Sequence, residues 1–352
     1  MTTLRNKIGQ MLIIGFSGCE INDQSPIVKW LREDGLGGVL LFDFDLPANC
    51  YGKNLKNPEQ IKSLTRQLNQ VANTRLPLYI AIDYEGGAVD RLTRIEGCMA
   101  TMKACEQANL SDEALYSEAE QMAVTIKNLG FNLNFAPVVD INLMEKEGII
   151  GKLGRSYSSN AKGVIRAARQ VTKAFNQNGI TAAYKHFPGH GSAIGDTHEG
   201  FVDVTDSFQM VELEPYASLL ADKRAAMVMT AHVINRQLDP SGLPATLSNT
   251  ILTGLLRQKI GFEGVIVSDD LQMQAISNHF SIEEALSLTI NAGADMLIFA
   301  NQLASISATE VIDHIESLVK SGTISTARIE QAYQRIVQLK QFQFANEVAV
   351  ID

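Results

Sequence analysis

The chain has 352 residues, 45% of them hydrophobic and 20% charged, with 39 acidic against 30 basic side chains and a formal net charge of -9. This composition suits a globular enzyme large enough to bury its core without disulfide staples. The acidic balance excludes general nucleic-acid binding, which needs Lys and Arg to displace counterions, and no apolar run approaches the roughly 18 residues that span a bilayer.

Residues 11–16 (MLIIGF) are apolar but too short for the core of a signal peptide, and no small-residue cleavage site follows. Cys19, Cys50, Cys98 and Cys105 match neither a zinc pattern nor a disulfide framework. Reduced thiols in a cytoplasmic chain are expected. MLIIGF is also the first of eight short runs with strand character; residues 38–42 (GVLLF) are the second. Asn57-Pro58 then opens a helix whose stripe is Ile61, Leu64 and Leu68. The third run is residues 78–83 (LYIAID). Ser111 begins a helix with Leu115, Met122, Ala123, Ile126 and Leu129 on one face and Gly130 as its stop. The fourth run, residues 132–140 (NLNFAPVVD), precedes a helix marked by Val164, Ala167, Ala168, Val171 and Phe175 and ended by Gly179. Residues 179–186 (GITAAYKH), 225–232 (AAMVMTAH) and 264–269 (GVIVSD) follow. Ser281 and Glu284 form a capping box for a helix ended by Gly293. The eighth run is residues 294–300 (ADMLIFA), and residues 307–340 read as two helices broken at Ser321-Gly322.

Continuous apolar runs suit strands buried on both faces, as in a parallel sheet. Eight such runs alternating with helices point to an α/β fold, a (β/α)8 TIM-type barrel. Periodicity alone leaves a doubly wound open sheet as the alternative. No linker interrupts the pattern, so one domain is expected over residues 1–340, with a loose tail over 341–352 where periodicity fades.

Polar residues collect at the ends of the runs: Asp83, Asp140, Lys185, His186, His232, Asp269 and Asn301. In a barrel those ends form one rim, where active sites sit. A helix cap or a satisfied buried polar group is the other reading, above all for Asp140 and Asn301. The densest stretch is residues 185–198, KHFPGHGSAIGDTH, whose glycines suit a long functional loop. Its Asp196 and His198 are spaced so that the carboxylate can hold the imidazole's tautomer and raise its basicity; an Asx-turn beside an exposed histidine fits the same spacing. After VIVS, Asp269 ends a run and can act as nucleophile, base or ligand, while Asp270 suits a turn cap. In IDYEGGAVDR, Asp83 and Arg91 are within reach of a polyol, and no phosphate-loop pattern is present.

Taken together, IDYEGGAVDRL, NFAPVVDIN, GRS at residues 154–156, KHFPGHGSAIGDTH, MTAH, SDDLQM and GADM resemble glycoside hydrolase family 3. The resemblance is greatest to its single-domain bacterial β-N-acetylglucosaminidases (β-N-acetylhexosaminidases) of peptidoglycan recycling. It implies Asp269 as nucleophile, His198 as general acid/base and Asp196 as its polarising partner. It also implies Asp83, Arg91, Arg155, Lys185 and His186 as sugar-binding residues; Arg155 comes from the resemblance alone. The reaction implied is a retaining, two-step removal of terminal β-N-acetylglucosamine from a glycan or muropeptide, without metal or cofactor. The expected acid is a histidine because a single barrel fills the length, with no second domain to supply a carboxylate. Tyr84 stands where the family commonly has Gln and Ala88 where it has Arg, and the usual proline is missing after Arg91. These departures bear on aglycone contacts beside Asp83. A β-glucosidase-type specificity, a zinc hydrolase using His186, His190, His198 and Asp269, and a sugar-binding protein without turnover are the competing readings.

Overall fold

A computed structural model of the protein describes residues 2–72, 76–144, 147–195, 197, 200–222 and 226–344. Eight parallel strands form the centre: β1 (Leu12–Gly15), β2 (Gly38–Leu40), β3 (Tyr79–Ile82), β4 (Leu133–Asn134), β5 (Thr181–Phe187), β6 (Ala226–Thr230), β7 (Ile266–Asp270) and β8 (Met296–Phe299). Each lies beside its sequence neighbours, and β8 returns to β1 with Leu12 opposite Leu297. That closure excludes the open doubly wound sheet and makes the fold a (β/α)8 barrel.

Every expected run holds a strand. β4 keeps only two residues of NLNFAPVVD as regular strand; the Phe135 N–H still donates to Ile82 and the Ala136 carbonyl accepts from Ala183, both at 3.0 Å, Pro137 has no N–H to give the ladder, and a single bridge joins Val138 and Lys185. A helix follows each strand: Pro26–Arg32, Pro58–Ala72, Asp112–Asn128, Ala161–Gln177, Glu214–Ala221, the π-helical Thr250–Lys259, Ile282–Ala292 and Ala308–Lys320. The Ile61, Leu64 and Leu68 stripe is fully buried. Ser281 and Glu284 cap Ile282–Ala292 reciprocally, and Gly293 ends it at φ +123°. Burial of the strands on both faces and of one stripe per helix gives one main core, with a small separate cluster at Leu247, Ile276 and Ala285.

The last helix, Thr326–Gln343, closes the floor of the barrel, at the N-terminal ends of the strands. Its Lys340 is fully buried, and Nζ donates to Gln10 Oε1 and to the Gly37 carbonyl, both at 2.9 Å, beside the Tyr79 ring at 4.7 Å. Burial pushes this ammonium down to about 7. Phe344 packs on Tyr79, with ring centres 6.1 Å apart, so the ordered packing passes residue 340. Residues 345–352 of the expected tail lie outside the described residues. Among the described residues no helix is long and apolar enough to cross a membrane.

Candidate active site

The C-terminal ends of the strands open into a cavity of about 260 Å³. Its wall carries Asp83 after β3, Arg91 from the hairpin beyond it, Arg155 from the segment after β4, Lys185 and His186 in β5, and Asp269 in β7. The ladders are irregular where these groups sit. Register shifts fall between Val228 and Thr230 against β5, and between Val267 and Asp270 against β8. Such irregularities re-aim side chains that a regular pleat would alternate.

Charges alternate along one side. Arg91 lies 4.0 Å from Asp43 Oδ1 through Nη1 and 3.6 Å from Asp83 Oδ2 through Nη2. Lys185 Nζ bridges Asp83 Oδ1 at 3.1 Å and Glu85 Oε1 at 2.7 Å. Arg155 clasps Glu85 through Nε at 2.8 Å and Nη2 at 2.7 Å. The order Asp43, Arg91, Asp83, Lys185, Glu85, Arg155 therefore alternates in sign, so that ions of opposite charge face one another along the wall; at its end, burial outweighs the more distant Arg91 and raises the Asp43 carboxyl. Glu85 and Lys185 are both 3% exposed at the side chain. Burial alone would raise the Glu85 carboxyl; Arg155 and then Lys185 override it and hold it well below the usual carboxylate range. Burial likewise opposes the charge of Arg155, and Glu85 more than restores it, raising the guanidinium above its ordinary value. Fixed cations and carboxylates of this kind suit the vicinal hydroxyls of a sugar.

Asp140 supports this wall from behind. It is 1% exposed and accepts the N–H groups of His186 at 3.2 Å and His190 at 2.8 Å, with His186 Nδ1 at 2.8 Å from its other oxygen. The second nitrogen of His186, Nε2, is thereby left to a ligand. His190 also lines the cavity. Burial, then the His186 ring beside it, pushes its imidazole down to about 4, so it is neutral at pH 7.

Asp269 and Asp270 both line the cavity. Asp270 Oδ1 accepts the N–H groups of Gln272 and Ala300, each at 3.1 Å, the capping role expected for it. Asp269 Oδ1 accepts Asp270 N–H at 2.8 Å, and the Asp269 N–H donates to Thr230 Oγ1 at 3.3 Å. Two other strand-end residues serve the scaffold instead of the cavity wall. His232 is fully buried between Thr246 Oγ1 and the Asp270 carbonyl, at 2.8 and 2.9 Å. Asn301, at φ +51°, ties Gly15 to Ile306.

Asp196 and His198 lie outside the described residues. Thr197 between them is buried, lines the cavity, and accepts the Ala275 N–H at 3.3 Å. Glu85, Asp43 and the loop-root carboxylate Glu212 were not singled out from the sequence. Asp43 follows GVLLF directly, the same placement that marked Asp83, so its signal was readable; Glu85 lies two positions beyond Asp83, and nothing in its neighbours marks it. The departures beside Asp83 do not reach the cavity. Tyr84 is fully buried in the core, and Ala88 is exposed at the turn of the hairpin; neither lines the wall. Among the described residues no group of three or more His, Cys, Asp or Glu side chains is arranged to hold a metal ion.

Residues 3–339 match the family described as the glycosyl hydrolase family 3 N terminal domain. The chain is 33% identical over 334 residues to beta-hexosaminidase A of Pseudoalteromonas piscicida, covering 87% of this chain and 53% of that protein. It is 33% identical over 314 residues to the beta-hexosaminidase of Tolumonas auensis, covering 87% of this chain and 86% of the relative. The fold matches that of a glycoside hydrolase family 3 beta-N-acetylglucosaminidase from Paenibacillus sp. with a TM-score of 0.86 and 33% identity, over 98% of this chain and 64% of that one. The chain thus spans about half the length of the first relative and most of the second. With the family match running through nearly every strand and helix of the barrel, the chain belongs to glycosyl hydrolase family 3.

Proposed function

We propose that this chain is a retaining exo-β-N-acetylglucosaminidase that removes terminal, non-reducing β-N-acetylglucosamine from peptidoglycan-derived fragments in the cytoplasm. It is a glycoside hydrolase, and the relatives named beta-hexosaminidase support the choice of sugar. The observation that carries the reading is the meeting of the Asp269 carboxyl with the Asp83, Arg91, Lys185 and Arg155 wall in one small cavity. At about 260 Å³ that cavity falls just below the usual range for small-molecule sites, about 300–1,000 Å³, which favours one terminal sugar over an internal stretch of chain.

In the first step an Asp269 oxygen attacks the anomeric carbon through an oxocarbenium-like transition state. The bond to the leaving oxygen breaks as His198 gives that oxygen its proton. In the second step His198 takes a proton from water, the water oxygen bonds the anomeric carbon, and the glycosyl ester breaks to return the Asp269 carboxylate. Asp196 holds and polarises His198. Meanwhile the charged wall and His186 fix the ring hydroxyls, so binding energy is directed to orientation at the reacting carbon.

Two measurements test this. Paired chromogenic β-N-acetylglucosaminide and β-glucoside substrates, assayed with a chelator present, should show hydrolysis of the first; activity confined to the β-glucoside overturns the choice of sugar. Asp269→Asn should nearly abolish turnover, and a fluorinated sugar should label Asp269. Label on Asp270 would reassign the nucleophile.

A further inference from the structure

Glu212 is a buried carboxylate that the mechanism above leaves unused. It sits in the single turn Met210–Leu213, is 1% exposed, and pairs with no cation among the described residues. Its partners are backbone N–H groups: Gln209 donates to Oε1 at 3.2 Å, and Gly191 and Ser192 donate to Oε2 at 3.1 and 3.3 Å. Burial pushes this carboxyl up to about 7, against the pull of those hydrogen bonds and with Asp140 adding to the rise. An unpaired carboxylate in such a place is costly to keep, and an apolar residue would cap the turn's packing at less expense.

What the carboxylate holds is the root of the glycine-rich loop after β5. A Cβ on Gly189 would come within 2.8 Å of the Glu212 side chain, and one on Gly191 within 1.7 Å of the Ile141 carbonyl. The Gly191 carbonyl in turn accepts the Leu143 N–H at 3.3 Å. Residues 189–192 are therefore clamped between Glu212 on one side and the segment after β4 on the other. Four residues beyond Ser192 the chain reaches Asp196, and Thr197 is pinned separately by Ala275.

We propose that Glu212 is a positioning residue for proton transfer: by accepting the Gly191 and Ser192 N–H groups it sets the loop root, and so where the Asp196–His198 pair is delivered to the leaving-group oxygen. The inference rests on the reading of His198 as acid/base. Glu212 touches neither the sugar nor the nucleophile, so its loss should leave ground-state binding intact and weaken the protonation step.

The experiment compares Glu212→Met with His198→Ala in the full chain. Methionine keeps about the volume and offers no oxygen acceptor, so the Gly191 and Ser192 N–H groups lose their partner; a glutamine could keep both by leaving its carbonyl oxygen at the Oε2 position. Each variant is assayed on a dinitrophenyl β-N-acetylglucosaminide, whose leaving group needs no proton, and on a β-linked N-acetylglucosamine disaccharide, whose leaving group does. Glu212→Met should lower kcat for the disaccharide about tenfold or more. The burst-phase glycosylation rate for the dinitrophenyl substrate and both KM values should stay within about twofold. Amide exchange at Gly191 and Ser192 should rise in the same variant. Equal losses on both substrates, unchanged rates, or unchanged exchange at those two amides overturn the proposal. If His198→Ala shows the leaving-group split and Glu212→Met does not, the positioning role alone falls. If His198→Ala shows no split, the acid/base reading falls and takes this proposal with it. Should Glu212→Met fail to fold, Glu212→Asp, which keeps the charge but withdraws it by one methylene, must show the same split.

Discussion

Replacing Glu85 by Gln should be among the most damaging single changes that preserve shape. Its carboxylate accepts three charged N–H groups: Arg155 Nε at 2.8 Å, Arg155 Nη2 at 2.7 Å and Lys185 Nζ at 2.7 Å. Glutamine can place its oxygen at the Oε1 position, where Arg155 Nη2 and Lys185 Nζ both donate, and then turns its NH₂ toward Arg155 Nε, so one of the three bonds is lost and the other two lose their anionic partner. One charge-assisted bond is worth about 1.5–3 kcal/mol, and the cost of removing one member of a buried ion pair, about 3–5 kcal/mol, sets the upper end of the loss. Urea unfolding followed by the fluorescence of Trp30, the single tryptophan, reads the loss directly. Arg155→Met in the Glu85→Gln background removes the orphaned guanidinium. The double variant should therefore lose less than the sum of the two singles, by about 2 kcal/mol. Turnover should fall with Glu85→Gln, because Lys185 then has Asp83 as its sole carboxylate partner in the alternating chain. A loss below about 1 kcal/mol, or additive singles, would refute the view that these cations are held in place by Glu85.

Lys340 offers a pH signature. Its ammonium is lowered from 10.5 to about 7 in the fold, so between those values the unfolded chain holds one more proton and stability rises with pH. Lys340→Met removes that dependence: relative to wild type it should fare better at pH 6 than at pH 9 by about 2–3 kcal/mol, and a pH-independent difference measured by urea unfolding would contradict this. Gly191→Ala, whose methyl meets the Ile141 carbonyl at 1.7 Å, should destabilise by about 1–3 kcal/mol and cut turnover. Gly254→Ala, with nothing nearer than 3.9 Å, should do neither; equal thermal midpoints for the two variants would refute the clash. Asp140→Asn should raise KM through a misplaced His186 and lower stability by about 1–3 kcal/mol; an unchanged KM would argue that Asp140 only fills space.

The barrel was legible because strands covered on both faces must be continuous apolar runs, and because serine caps and glycine stops punctuate the helices between them. The boundaries were less so: β4 is regular over only two residues of a run that Pro137 also interrupts. At the site, Asp83, Lys185, His186 and Asp269 stood out because charge at the end of an apolar strand is conspicuous, and Arg155 needed the family resemblance. Glu85 went unremarked although it binds two of those residues. Its partners lie 70 and 100 positions away, and nothing local in YEGG reports a contact over that distance. Glu212 was hidden for another reason: in VELEP it looks like an ordinary acid at a helix start, where solvent is the usual partner. The same masking applied in reverse to Asp140, His232 and Asn301, whose strand-end placement resembles that of the cavity residues while their hydrogen bonds run into the scaffold.

The buried ammonium under the barrel also has a consequence for biosynthesis. Lys340 satisfies Gln10 and the carbonyl of Gly37, groups made more than three hundred residues earlier. On the ribosome those partners emerge and wait for more than three hundred residues before their donor arrives. Pairing of β8 with β1 imposes a similar delay. Neither the staves of this barrel nor its bottom can be sealed before β8 and the last helix have been made, so the nascent chain carries an open edge at β1 until then. That edge is the surface a chaperone would have to shield, and stalled translation products ending before β8 should be markedly more prone to aggregate than chains that extend past Lys340.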